Sequence, residues 1–180
     1  MKNLIFILIG CALLWSCTQP KPEPETAAVE VKPQPVEIGD PKYVEIGKQS
    51  MRSLSEGNVD AFMNDFADNA NYLWNNGDSL VGKPAIEKYW KDRRGNAIDT
   101  ITFANDAWLT VKANEAPAKG VQTGVWLFGW FKVTVTYANG NKMTQWIHNL
   151  YHFDGNDKID RAIQFLDRAP INAATAAKKK

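Results

Sequence analysis

His148, His152 and the closely spaced acids Asp154, Asp157 and Asp160 form the one stretch of this 180-residue chain where both histidines and several carboxylates, types that could ligate a metal or move a proton, fall together. Both histidines fall in KMTQWIHNLYHF, residues 142–153, a run whose β-branched and aromatic content suits a strand. On a strand their imidazoles stand about 13 Å apart, at roughly 3.3 Å per residue, so they cannot share one ion. Alternation also puts them on the parity of Trp146 and Leu150, opposite Gln145, Ile147, Asn149 and Tyr151. The three acids miss the spacing of a calcium loop, with Gly155 at the second place, and read as a hairpin turn. No nucleophile elbow, phosphate-binding glycine loop or dinucleotide fingerprint occurs, so neither a metal nor a cofactor is expected. Aromatic residues are the distinctive resource instead. Trp74, Trp90, Trp108, Trp126, Trp130 and Trp146 all lie beyond residue 17, and VWLFGWFKV, residues 125–133, is apolar on both parities. Both faces of a sheet there should be covered, one by the core and the other by a second subunit.

The elements that must position these residues follow from periodicity. Tyr43, Val44, Ile46, Met51 and Leu54 recur at helical spacing over residues 42–55, and Gly57 suits a stop. Asn58 is placed to cap a second helix bearing Val59, Phe62, Met63 and Phe66. A short strand over 70–74 runs into Asn75-Asn76-Gly77-Asp78, which suits a tight turn. Pro84 opens a third helix with Ile86, Tyr89 and Trp90 on its apolar side, and Arg93-Arg94-Gly95 ends it. The period then changes. Over residues 98–112, Ile101, Phe103, Ala107, Leu109 and Val111 share one parity. Strands follow over 121–137, 142–153 and 158–168, with Asn139-Gly140 as a hairpin turn. Helices followed by consecutive antiparallel strands define an α+β class. The hairpin register places Trp130, Lys132 and Thr134 on the interior face with Gln145 and Asn149. An inward Lys132 among aromatic rings would suit an anionic or carbonyl ligand. The plainer alternative is that the aromatics fill the core and Lys132 reaches solvent.

Charge and the N-terminal segment bear on partners and address. The formal net charge is +1, and without Lys2 the chain carries 20 basic and 20 acidic residues, which gives no footprint for nucleic acid. Lys178-Lys179-Lys180 reads as the end of a frayed, solvated tail over 170–180. Lys2 precedes about a dozen apolar residues, short of the ~20 that cross a bilayer, which is the form of a secretory signal over 1–16. Leu14-Trp15-Ser16-Cys17 resembles the lipobox of bacterial lipoproteins, with Leu8-Ile9-Gly10-Cys11 a weaker match. The resemblance implies acylation of Cys17 and insertion of its chains into a bilayer, placing the domain in the cell envelope. Thr18 in place of Asp favours the outer membrane by the same resemblance. Both cysteines lie in this segment, so the domain has no disulfide and no thiol nucleophile. Residues 18–40, with five prolines and alternating Lys and Glu, read as an extended tether that leaves the fold to begin near Pro41.

FADNANYLWNNGDSLVGKPAIEKYW, residues 66–90, resembles the SnoaL-like segment of the nuclear transport factor 2 superfamily, and HNLYHFDGNDKIDRAIQFLD, residues 148–167, resembles its closing strands. The resemblance implies a cone over residues 41–169: a strongly curved antiparallel sheet wrapped around about three N-terminal helices, with a pocket at the open end. In the ketosteroid isomerase branch a helical Tyr and a late-strand acid form an oxyanion hole, and an Asp on the first strand moves the proton. Those places fall here on Ser50, Asn149 and Trp74. Asn149 can donate a hydrogen bond, but an indole cannot take a proton from carbon near neutral pH. No catalytic residue is therefore assigned. Ser50, Trp74, Trp90, Trp130, Lys132, Thr134, Gln145 and Asn149 form the candidate pocket for a small, partly apolar ligand. Two other functions remain open: an enzyme of dehydratase, cyclase or isomerase type with a different residue set, and a partner-binding or homodimeric scaffold using the outer sheet face.

Overall fold

Tyr43, Ser50, Met51 and Leu54 fall on one side of α1 (Lys42–Ser55) and are buried, as the helical spacing of the apolar residues requires. The computed structural model describes residues 34–176 and Lys32; the signal segment, Cys17 and most of the tether lie outside the described residues. The helix ends at Glu56, and Gly57 turns the chain at φ +81°. Asn58 caps α2 (Val59–Met63), its Oδ1 accepting from the Ala61 N–H at 3.0 Å. Strand β2 (Phe66–Trp74) and the short β3 (Ser79–Val81) form a hairpin, and α3 (Lys83–Asp92) starts with Pro84 in its first turn. A π-helical turn, Arg93–Ala97, joins α3 to β4 (Ile98–Ala113). Strands β5 (Gly124–Tyr137), β6 (Lys142–Phe153) and β7 (Ile159–Phe165) follow, then α4 (Arg168–Thr175).

One seven-stranded sheet, in the order β1-β4-β5-β6-β7-β2-β3, carries the core against the helices; β1 is Val36–Ile38. The α+β expectation therefore holds, with one refinement. Pairing is antiparallel throughout except between β2 and β7, which run parallel, so the sheet is mixed.

Four expectations shift. The fold begins before Pro41, because Val36–Ile38 pairs with residues 111–113 of β4 and Asn114 donates to the Gln34 carbonyl at 2.8 Å. This edge strand buries little, with Ile38 79% exposed, so main-chain bonds rather than apolar pattern hold it. The expected tail is helical from Arg168 to Thr175: Asp167 caps it, Pro170 is tolerated in the first turn, and the amides of Asn139 and Asn141 donate to the Ala174 carbonyl at 2.9 and 3.0 Å. On β4 an extra residue between Ala104 and Ala107, with Asn105 at φ +54°, forms a bulge. Past it the inward parity changes, so Trp108 and Thr110 turn inward and Leu109 is exposed.

The fourth shift decides the site. The turn between β5 and β6 is a three-residue loop, residues 138–140, with Gly140 at φ +79° and Tyr137 opposite Asn141. Gly129 therefore faces Asn149, and Lys132 faces Trp146. One residue of register reverses every side chain on β5 relative to β6. Trp130, Lys132 and Thr134 accordingly lie on the outer face, and the interior of β5 is Leu127, Gly129, Phe131, Val133, Val135 and Tyr137.

Candidate functional site

Between α3, the inner face of the sheet and α4 lies a pocket of about 100 Å³. Trp74, at the end of β2, and Tyr89 and Trp90, on α3, pack as an aromatic wall with centroids 5.2 and 5.3 Å apart along the row. Ile98, Ile101, Val135 and Met143 give the opposite, aliphatic wall. Indole at position 74 is fixed by a hydrogen bond from Nε1 to Gln164 Oε1 at 3.0 Å, both side chains being buried. This pairing follows from the parallel register, in which Trp74 lies beside Gln164 on β7. The acceptor lone pair that a proton-abstracting group would need is missing from an indole, and its only polar hydrogen is already engaged.

Cationic groups stand at the mouth. Arg93, first residue of the π-helical turn, lies 5.4 Å from the Tyr89 ring centroid, and Arg168, first residue of α4, lies 5.7 Å from that of Trp74. Arg168 is paired with Asp78 at 3.0 Å, while Arg93 has no carboxylate within 4 Å among the described residues. Burial pushes the phenols of Tyr89 and Tyr137 above their ordinary value, with the charge of Arg93 acting the other way. Both remain protonated near neutral pH. Among the described residues the pocket lining contains no carboxylate and no imidazole.

Of the eight expected site residues, Trp74, Trp90 and Gln145 line this pocket. Gln145 acts as a clasp at the rim: its Nε2 donates to the Asp167 carbonyl at 3.1 Å and its Oε1 accepts from the Asp167 N–H at 2.9 Å. Asn149 points inward as expected and is 2% exposed, but it donates to Tyr151 Oη deeper in the core and does not line the pocket. Ser50 is buried with its hydroxyl donating to the Asp65 carboxylate, away from the pocket lining. Trp130, Lys132 and Thr134 are corrected to the outer face, where Trp130 stacks on His148 at 4.5 Å and Thr134 Oγ1 meets Thr144 Oγ1 at 3.0 Å. The one-residue register difference is the physical reason.

Both histidines face outward with them. His148 Nδ1 lies 3.0 Å from the Gly129 carbonyl, and His152 is held between Asp160, at 2.6 Å, and the Thr123 carbonyl, at 2.8 Å. Among the described residues no group of three or more His, Cys, Asp or Glu could hold a metal ion. Asp154 closes the β6–β7 turn by accepting from the N–H groups of Asn156 and Lys158.

Sequence reasoning missed Tyr89 as a pocket wall, and also Arg93, Tyr137, Gln164 and Arg168. Gln164 carried a readable signal: it shares the parity of Ala162 on β7, and a polar side chain on the inward parity must be paired. Arg93 read as a helix end, which it is, and Arg168 depends on a helix the sequence reading omitted.

No family model and no curated protein matches this sequence. Solved structures do match its shape. A nuclear transport factor 2-like protein of unknown function from Burkholderia pseudomallei superposes with TM-score 0.60 at 13% identity, covering 74% of this chain and 97% of its own. A candidate polyketide cyclase from Xanthomonas campestris gives 0.59 at 13% identity, covering 74% and 96%. An epoxide hydrolase of M. tuberculosis, described as LEH-like, gives 0.51 at 10% identity, covering 73% and 87%. The domain therefore has the nuclear transport factor 2-like fold, the SnoaL-type cone that the sequence resemblance implied. At such identities the likeness is one of fold, and the activities of those proteins remain theirs.

Proposed function

We propose that this domain binds a small, partly apolar ligand in the pocket beside Trp74 without chemically transforming it. The observation that carries the reading is Trp74 itself, an aromatic wall hydrogen-bonded to Gln164 at the place where the resemblance to the ketosteroid isomerase branch implies a proton acceptor. A lining free of carboxylate and imidazole supports it, since proton transfer needs a group that titrates near the working pH. Native mass spectrometry of the purified chain after exposure to envelope extracts tests the reading. A bound small molecule is expected, and it should be lost in Val135→Phe, which fills the pocket from its aliphatic wall. An empty pocket across extracts would remove the proposal.

The address belongs to the same proposal. Acylated Cys17 would hold the chain to a bilayer, the outer membrane in the favoured case, and the proline-rich segment would stand the domain off the surface. Cys17→Ser should abolish palmitate incorporation and shift the protein to the soluble fraction; unchanged membrane association would contradict it. Trp130, Trp146 and Phe165, 39%, 57% and 44% exposed on or beside the outer sheet face, support a homodimer as the cover for that face. Sedimentation equilibrium should then show a dimer that Trp146→Ser weakens, and a strict monomer would exclude it.

A further inference from the structure

The polar atoms of the pocket are matched on one side only. Trp90 Nε1 and Arg168 Nε are each buried with no hydrogen-bond partner, and Tyr137 Oη, which can only accept from the nearby Arg93 guanidinium, has no acceptor for its proton; all three residues line the pocket. Trp90 and Tyr137 are 6% and 2% exposed, so bulk water does not serve them. An indole N–H and a guanidinium nitrogen can donate but cannot accept, and a phenol has a hydroxyl proton to give. Buried donors without acceptors are destabilising, and native proteins rarely keep several together without a use.

Charge points the same way. The guanidinium of Arg93 reaches the same pocket, faces no carboxylate within 4 Å among the described residues, and rests over Tyr89. It opens a π-helical turn, a helix irregularity found frequently at functional sites. The charge of Arg168 is already shared with Asp78, which leaves one uncompensated cation. The walls beyond these donors are flat rings and aliphatic side chains.

We infer that the pocket takes a small monocarboxylate with an apolar body, its two oxygens accepting from Arg93 and the neighbouring unpaired donors while its body lies between Trp74 and the aliphatic wall. This rests on the noncatalytic binding reading of the same pocket and adds the chemical class. A single negative charge matches a single free guanidinium, and a planar carboxylate matches its fork. Phosphate, with nearly two charges and no apolar body, would leave the rings unused.

Isothermal titration calorimetry of the full chain in detergent tests the class, with benzoate, its neutral isostere benzamide, and inorganic phosphate as probes. Benzoate is expected to bind at least about tenfold more tightly than benzamide, the scale of a charge-assisted hydrogen bond. Arg93→Gln should bring the two probes within about twofold, and Tyr137→Phe should lower the ratio partway while the fold, read by circular dichroism, is kept. Benzamide binding as tightly as benzoate, phosphate binding more tightly than either, or a ratio unmoved by Arg93→Gln would overturn the carboxylate class. If all three probes fail while an extract-derived molecule occupies the pocket, the class falls and the binding reading stands. If nothing occupies it, the binding reading falls as well.

Discussion

Trp74 and Gln164 set what the pocket can do, and each depends on the other. The indole N–H needs an acceptor in a buried place, and Gln164 Oε1 supplies it at 3.0 Å. Gln164→Leu should therefore cost about 1–3 kcal/mol in urea unfolding, the penalty for a buried donor left alone; an unchanged midpoint would show that water reaches the indole. Asp65 gives a second test at this scale. Burial raises its carboxyl above the ordinary range, the Ser50 hydroxyl lowers it, and Lys158 and Lys83 lower it further, with burial prevailing. The folded protein then holds a proton on Asp65 that the unfolded chain has released. Stability linked to this group is greatest below the ordinary carboxylate range and falls as pH rises through the raised value. Asp157 has the opposite sign, lowered by its bonds from Lys42 and Tyr43, and acts below that window. Asp65→Asn, which can still accept from Ser50, should flatten the loss of unfolding free energy as pH rises out of the ordinary carboxylate range. An identical slope in wild type and variant would contradict the assignment.

At the scale of elements, the C-terminal helix is the pocket's strap. Gln145 clasps both backbone groups of Asp167 at one end, and Asn139 with Asn141 holds the Ala174 carbonyl at the other. Gln145→Ala should speed amide exchange in α4 selectively, by about fivefold for a loss near 1 kcal/mol, while β5 and β6 keep their protection. Equal acceleration everywhere would make Gln145 a global rather than a local clasp. The hairpin beside it explains why the site was only partly legible. Asn139-Gly140 announced a turn correctly, but the loop holds three residues instead of two, and sequence carries no sharp mark of that difference. The parity of β6 was read correctly, with Asn149 in and both histidines out. The parity of β5 relative to it was lost, and Lys132 went with it. The β4 bulge misled in the same manner, since a local αL residue at Asn105 redirects Trp108 without changing the composition of the strand.

For the whole molecule, the helix-then-strand order was enough to reach the α+β class, because period changes and capping residues are local signals, and the cone was implied by the resemblance of the segment from Phe66 to Trp90. The two ends were not legible. β1 is held by three backbone pairings and α4 by side-chain clasps from distant turns, and both are short, at three and eight residues. The proposed binding of a small molecule without turnover rests on an indole and a set of donors standing where the sequence resemblance implies a base. The direct measurement uses 4-oxopentanoate, which carries a carboxylate and exchangeable hydrogens beside a ketone, incubated with the full chain in D₂O. Proton NMR would follow exchange while tryptophan fluorescence reports binding. The account predicts a fluorescence change that Arg93→Gln weakens, with exchange no faster than in buffer. Exchange accelerated by the protein and abolished by Val135→Phe would mean that the pocket moves protons, and the account would be wrong.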